Sequence, residues 1–510
     1  MIIRDILEHN ARVHPNKTAL SAKNEEVTYL ELRNRVLKRA AALQTLGISL
    51  GDRVAVLANN TIEFVELFFG TVHLGASVVQ LHPSFVSREM NAILQNAGVK
   101  GIFYEEELAG KIEEIRPALT DIPCIMDMND PRLTASDSEA DSMKNLPPFE
   151  DCTIALIAYT SGPAGRLRGA MLSNRNLMGA SVYSAMEMGF SRRDVFLSCA
   201  TLPYLGGLGR LLRFFHVGAT VILHKKFDPI ELLRTIERQS VSHIVLTPTM
   251  MSRMLDVPNA RGFNLATLRM VLYGGAWISV DLMRRAIGFF RCSLVQSYAH
   301  VETTGMLTLL HEEDHSMVEG TPYMKKLMSV GKEALGMQVR IVDEEGKEVP
   351  TGMVGEVSAC GLNVFEGYLD DPEATSSVLR NGWFYTGDMG AVDEDGYIHI
   401  VDRKHDSLLV ESVTVSLREV EGIVAEHPSV KDVAVVGRPD FTMGEVPVAV
   451  VVLKEGYEEN PEEILEHCRL NMASFKVPRA IEFLSAFPQN AQGKVTKAAI
   501  RDRLTARNRF

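Results

Sequence analysis

The sequence is poor in cysteine and tryptophan, lacks any long apolar run, and has no surplus of basic charge. Six cysteines are spread over 510 residues, at Cys124, Cys152, Cys199, Cys292, Cys360 and Cys468, with no CxxC pair among them. This spacing excludes a disulfide framework and a thiolate zinc site, and reads as reduced thiols in a cytoplasmic enzyme. No stretch approaches the roughly 18 consecutive apolar residues of a spanning helix, so no transmembrane segment is expected. Arg4 and Asp5 interrupt the N-terminus before any apolar core of a leader can form, so a signal peptide is not expected. Lys and Arg number 53 against 65 Asp and Glu, a net charge of −12. An acidic chain repels a phosphate backbone, which argues against nucleic acid as a partner. What remains is a globular balance, 46% hydrophobic and 23% charged, in a chain long enough for two or more domains.

Periodicity supplies the organisation. Residues 5–15 and 29–46 read as helices, the second stopping at Gly47. VAVLA at 54–58 reads as a buried strand, FVELFFGTVHLGA as a helix and SVVQL as a further strand. The alternation continues through VKGIFY, TVIL (220–223), a helix at 229–239, HIVL (243–246) and MVLYGG (270–275). It predicts an α/β architecture with largely parallel sheets. Residues 126–148, rich in Met, Asp, Ser and Pro, read as an exposed loop. From about residue 330 the text turns to strands joined by DEEG and DEDG turns. Beyond Arg403 come a helix at 417–427, strands VAVVG and VAVVVL, and a helix at 461–473. The chain therefore divides into a large domain at 1–401, a hinge at 402–406 and a small C-terminal domain at 407–510.

The segment AYTSGPAGRLRGAMLSNRNL (158–177) is rich in groups that bind phosphate. Gly162, Gly165 and Gly169 allow backbone N–H groups to turn toward an anion. Thr160 and Ser161 add hydroxyls, and Arg166 and Arg168 add charge. A flexible surface turn would have the same composition.

Further segments carry a family resemblance. QSYAHVETTG (296–305), GEVSACGLNVFEGYLDDPEAT (355–375), NGWFYTGDMGAVDEDGYIHIVDRKHD (381–406) and MASFKVPRAIEFLSAFPQNAQGKVTKAAIRDRL (472–504) follow in order behind the glycine-rich segment. In order and spacing the chain resembles the adenylate-forming superfamily of acyl-CoA synthetases, aryl-CoA ligases, carrier-protein adenylation domains and luciferases. The resemblance implies a large N-terminal domain of α/β subdomains with a small β-barrel-like part, and a small mobile α+β C-terminal domain. It implies ATP-dependent activation of a small-molecule carboxylic acid to an acyl-adenylate with release of pyrophosphate, then transfer to the thiol of CoA.

The resemblance also implies roles. Glu302 would help hold Mg²⁺ on the ATP phosphates, Asp388 would accept hydrogen bonds from the ribose hydroxyls, and Arg403 would lie near ribose and phosphate. Lys494 would neutralise charge between the acyl carboxylate and the α-phosphate. Thr160, Ser161, Gly162 and Gly165 would line the phosphates, with Arg168 where a lysine is usual. Gly274, Gly275, Ala276 and Tyr298 would pack the adenine. Tyr204, Trp277 and Ala299 would shape the acyl pocket, Trp277 either narrowing it or lying in the core. His405 falls at the hinge position.

Departures from the pattern are specific. Pro163 and Ala164 replace two hydroxyl donors, and Pro163 also removes an N–H. Ala299 replaces the usual Gly and Val301 the usual Thr, with Thr303 nearby. Each lost bond to a charged group costs roughly 1.5–3 kcal/mol if nothing compensates. Glu411 and Ser412 stand where Gly-Gly often lines the pantetheine tunnel. Two alternatives therefore stand beside the CoA ligase: adenylation with transfer to a carrier protein or another nucleophile, and a degenerate member that binds nucleotide or acyl ligand without turnover. The acid and the oligomeric state are not legible.

Overall fold

The computed structural model describes residues 2–23, 25–161, 167–275, 278, 280–315, 326–403, 407–410, 413–440, 444–472, 476–489 and 495–507. It forms two compact units, Met1–Val339 with Ala359–Phe384, and Arg340–Ser358 with Tyr385–Phe510.

Two sheets organise the first unit. In the six-stranded sheet the order is Cys124–Asp127, Gly101–Tyr104, Arg53–Leu57, Ser77–Leu81, Ile154–Ser161 and Leu167–Ser173. All its pairs are parallel except the last, an antiparallel hairpin. The nine-stranded sheet has a parallel centre, where Thr18–Ala22, Thr220–Leu223, Val195–Ser198, His243–Leu246, Met270–Gly274 and Ser293–Tyr298 lie side by side. Antiparallel strands close both edges. The strands read from apolar runs are thus present, and α/β is the fold class. The helix Ile62–His73 is buried on every face, with Phe64, Phe68 and Phe69 at its centre. Such all-round burial matches its nearly continuous apolar sequence.

Several helices of this unit start by one device. Asp228, Thr247 and Asp371 each accept a backbone N–H from the first turn, and Pro229, Pro248 and Pro372 occupy the first helical position. A polar cap followed by proline satisfies an orphan donor and presets φ. Residues 126–148 correct the expectation of a loop. They hold the end of the strand Cys124–Asp127 and a helix, Asp137–Met143. Ser136 and Glu139 form a reciprocal capping box there, and Ala140 and Met143 are buried. With only two side chains inward, apolar periodicity was too sparse to reveal the helix, and the cap carries the signal.

The second unit holds the segment Tyr385–Val392 of the strand Trp383–Val392, which pairs antiparallel with Ile398–Arg403. Within this unit they share a sheet with residues 340–342 and 355–358, standing where a barrel-like part was expected. A second sheet runs Val413–Ser416, Ser407–Val410, Gly444–Leu453 and Val430–Asp440, with Ala480–Phe483 parallel to Gly444–Leu453. Leu408, Val415, Val420, Val435, Val451 and Ile464 fill the core it shares with the helices Leu417–Ala425 and Pro461–Asn471. No helix among the described residues is long and apolar enough to cross a membrane.

Candidate active site

The glycine-rich segment is the tip of a hairpin. Ile154–Ser161 leads in and Leu167–Ser173 leads out, with Thr160 opposite Arg168 in register. Thr160 and Arg168 are both half-buried, and residues 162–166, with Gly162 and Gly165, lie outside the described residues. Ser161 is placed by its backbone as the last residue of the first strand.

The outer edge of this hairpin is covered by residues 366–369. Ala170 bridges Tyr368, Met171 N donates to Gly367 O at 2.9 Å, and Leu369 N donates to Gly169 O at 2.8 Å. Arg168 consequently stands over the ring of Tyr368, 5.5 Å from its centroid, with Nε 3.5 Å from Asp371 Oδ2. Tyr368 points its hydroxyl at Glu302 and donates to Oε1 at 2.7 Å. Burial, with the Glu302 carboxylate adding to it, holds the Tyr368 phenol well above its ordinary value, so it remains a donor. Glu302 is 7% exposed, and its backbone carbonyl accepts from Phe365 N at 2.9 Å. Its Oε2 accepts no hydrogen bond among the described residues. Thr160, Arg168 and Glu302 are therefore brought to one region. Sequence reasoning gave no role to Tyr368 or Asp371, although both lie in a quoted motif; a tyrosine in the acidic stretch EGYLDD carries no sign of which group its hydroxyl will meet.

Beside Glu302 the lost phosphate donor is not replaced by Thr303. This residue is fully buried, and its hydroxyl donates to His300 O at 3.2 Å while accepting from His300 N at 3.1 Å. Val301 packs against the apolar core.

Gly274 ends one parallel strand and faces Ser297 on the next. A Cβ at Gly274 would lie 2.2 Å from Ser297 O, and Gly275 has φ +82°. Both positions require glycine. Tyr298 ends the neighbouring strand with its hydroxyl 2.9 Å from His300 Nε2, and Ala299 follows, half-buried. The two strands end together, as do ligand-bearing strands in open α/β sheets. Tyr204 caps the helix Leu205–His216, its ring against Gly206. Ala276, Trp277, His405 and Lys494 lie outside the described residues.

In the second unit Asp388 is 3% exposed and pairs in register with Arg403, of which the backbone is described. Thr386 Oγ1 accepts Asp388 N at 3.0 Å and donates to Val357 O at 2.8 Å, while Glu356 Oε1 accepts Gly387 N at 3.1 Å. With φ +73°, Gly387 turns the strand immediately before the carboxylate.

Comparison with known families decides what this arrangement is. Residues 7–369 match the AMP-binding enzyme model, and residues 419–494 match the AMP-binding enzyme C-terminal domain. The chain belongs to the AMP-binding enzyme family. It is an AMP-forming ligase of the acyl-CoA synthetase class. A feruloyl-CoA synthase of Amycolatopsis sp is 34% identical over 496 residues, 97% of each chain. Among solved structures, an amide bond synthetase from Marinactinospora thermotolerans superposes with a TM-score of 0.89 at 27% identity, covering 99% of this chain and 100% of that one. An O-succinylbenzoate coenzyme A synthetase from Bacillus subtilis, in complex with ATP and magnesium ion, gives 0.86 at 26% identity, covering 98% and 99%. This AMP-binding enzyme thus matches its relatives over nearly their whole length.

Proposed function

We propose that this enzyme couples a carboxylic acid to CoA in two steps. In the first, a carboxylate oxygen attacks the α-phosphorus of ATP and the bond to pyrophosphate breaks. In the second, the CoA sulfur attacks the acyl carbon and the bond to AMP breaks. The observation that carries this reading is Glu302, a buried carboxylate held through Oε1 by Tyr368 with Oε2 unengaged among the described residues, beside the Thr160–Arg168 hairpin.

A free oxygen on a fixed carboxylate suits a hard cation. No cluster of three metal-ligating side chains exists among the described residues, so Mg²⁺ at Glu302 would take its remaining ligands from ATP phosphates and water. When bound, the ion supplies charge neutralisation at the departing pyrophosphate. Thr160, Ser161, Gly162 and Gly165 would cradle the phosphates, and Arg168 would add positive charge already shared with Asp371. Asp388 would accept the ribose hydroxyls, and Arg403 would approach the phosphate. Gly274, Gly275, Ala276 and Tyr298 would bound the adenine, and Tyr204, Trp277 and Ala299 the acyl group. Lys494 would bridge the acyl carboxylate and α-phosphate in the first step only. Rotation of the domain at 407–510 about the 402–406 hinge, with His405 in it, would then withdraw Lys494 and admit the thiol.

The test is ATP–pyrophosphate exchange over a panel of acids, followed by thioester formation with free CoA. Exchange with at least one acid and conversion of its adenylate to thioester are expected. Absence of exchange with every acid, despite ATP binding, would overturn the reading. Lys494→Ala is expected to abolish exchange and spare thioester formation from supplied acyl-AMP; equal loss of both would contradict the two-conformation scheme.

A second acceptor has its own support. Glu411 and Ser412 replace the usual Gly-Gly, and one similar structure is an amide bond synthetase. Acyl-AMP that accumulates with CoA but is consumed by an amine or a carrier-protein thiol would favour that acceptor.

A further inference from the structure

The helix Leu205–His216 carries two arginines one turn apart, Arg210 and Arg213. Both line a small cavity of about 10 Å³ with Phe190, Phe214, His243 and Met270. Arg213 is 3% exposed, and Arg210 is half-buried. Arg213 Nη2 donates to Thr304 O at 3.1 Å and Gly305 O at 3.0 Å; Arg210 Nη1 donates to Gly206 O at 2.9 Å. The Nε of each is buried without a partner, and neither guanidinium meets a carboxylate among the described residues. Asp194, which faces His243 from 3.6 Å, is engaged by Arg269 at 2.7 Å.

Buried charges are ordinarily paired, and two like charges at i and i+3 on a helix repel. Burial lowers the Arg213 guanidinium to about 9, with the charge of Arg210 adding to the effect, and burial lowers Arg210 to about 10. The pair is a site short of one anion. Its location says which. Arg213 grips the two carbonyls that follow Glu302 and Thr303. Met270 and Leu272, which wall the cavity, lie on the strand that ends at Gly274. The helix itself begins beside Tyr204. The strand and the helix that wall this cavity are thus the ones that carry Gly274 and Tyr204, assigned above to the adenine and the acyl group.

We infer that the substrate is an acid with a second carboxylate, and that Arg210 and Arg213 bind this distal carboxylate while the first is activated. The inference rests on the adenylation reading above. A guanidinium pair offers planar, bidentate recognition of such a group. The cavity as it stands has room for about one water, and the flexible side chain of Met270 is the wall best able to yield.

The experiment is ATP–pyrophosphate exchange with a length series of aliphatic and aryl dicarboxylic acids against their monomethyl esters. The best diacid is expected to exceed its ester in kcat/KM by about 10-fold or more, the worth of a hydrogen-bonded charge contact. In Arg213→Met and Arg210→Met that ratio is expected to fall toward one, mainly through a higher KM for the diacid. Thermal melting of each variant separates this from misfolding, and Arg210→Lys, which keeps the charge, is expected to retain part of the preference. Esters or simple monoacids used as well as every diacid by the unaltered enzyme would overturn the inference and leave adenylation standing. So would variants that melt normally yet keep the diacid preference. No exchange with either series would overturn adenylation and this inference with it.

Discussion

Tyr368 shows how one hydroxyl ties the site together. It orients Glu302 through a buried 2.7 Å bond and lies beneath Arg168. Tyr368→Phe keeps the ring and removes the bond. A hydrogen bond to a charged group is worth roughly 1.5–3 kcal/mol, so ATP–pyrophosphate exchange is expected to fall about 10-fold or more, with the Mg²⁺ titration midpoint moving higher. Unchanged exchange at an unchanged midpoint would remove Tyr368 from the machinery. Charged and glycine residues in fixed motifs were legible in the sequence because their chemistry is singular. Tyr368 was not, since its partner lies 66 residues away, nor were Arg210 and Arg213, since a sequence does not show that no carboxylate among the described residues meets them.

Among elements, the helix Leu205–His216 is tightly constrained at one glycine and not at another. A Cβ at Gly207 would sit 2.3 Å from Thr201 O and 2.8 Å from Ala200 O, backbone atoms that cannot step aside. At Gly209 the nearest atom would be Leu205 Cδ1 at 3.4 Å, an ordinary contact. Gly207→Ala is therefore expected to destabilise the enzyme by about 1–3 kcal/mol, and Gly209→Ala to be neutral or stabilising by up to about 1 kcal/mol. Chemical denaturation of the two variants distinguishes them; similar effects would contradict the close approach. Helix and strand existence followed from apolar period, as at Tyr29–Thr45 and Met270–Gly274. The helix Asp137–Met143 escaped because its stability comes from a capping box rather than a broad apolar face.

For the whole molecule, buried histidines set a pH dependence of stability. Burial lowers His73, His82, His224 and His315 below the ordinary histidine value, and lowers His243 to about 4. The unfolded chain protonates these groups near pH 6.5 and the folded chain below it, so the unfolded state binds more protons in between. Stability is then full above pH 6.5 and lost as the pH falls toward 4. His311, raised by its hydrogen bond to Glu187, works in the opposite direction. A melting temperature lower by roughly 4 °C or more at pH 5.5 than at pH 7.5 is expected; a flat profile would show that these rings are hydrated.

The strap of residues 366–369 along the hairpin sets a schedule for synthesis. Ala170 leaves the ribosome about 200 residues before its partner Tyr368, an interval of roughly 10–40 s at typical elongation rates. Throughout it the strand Leu167–Ser173 is the bare rim of the six-stranded sheet, open to pairing with another nascent chain. A message that stalls or ends before codon 366 should yield a product that aggregates through this rim, and co-expressed chaperones should matter most in that window.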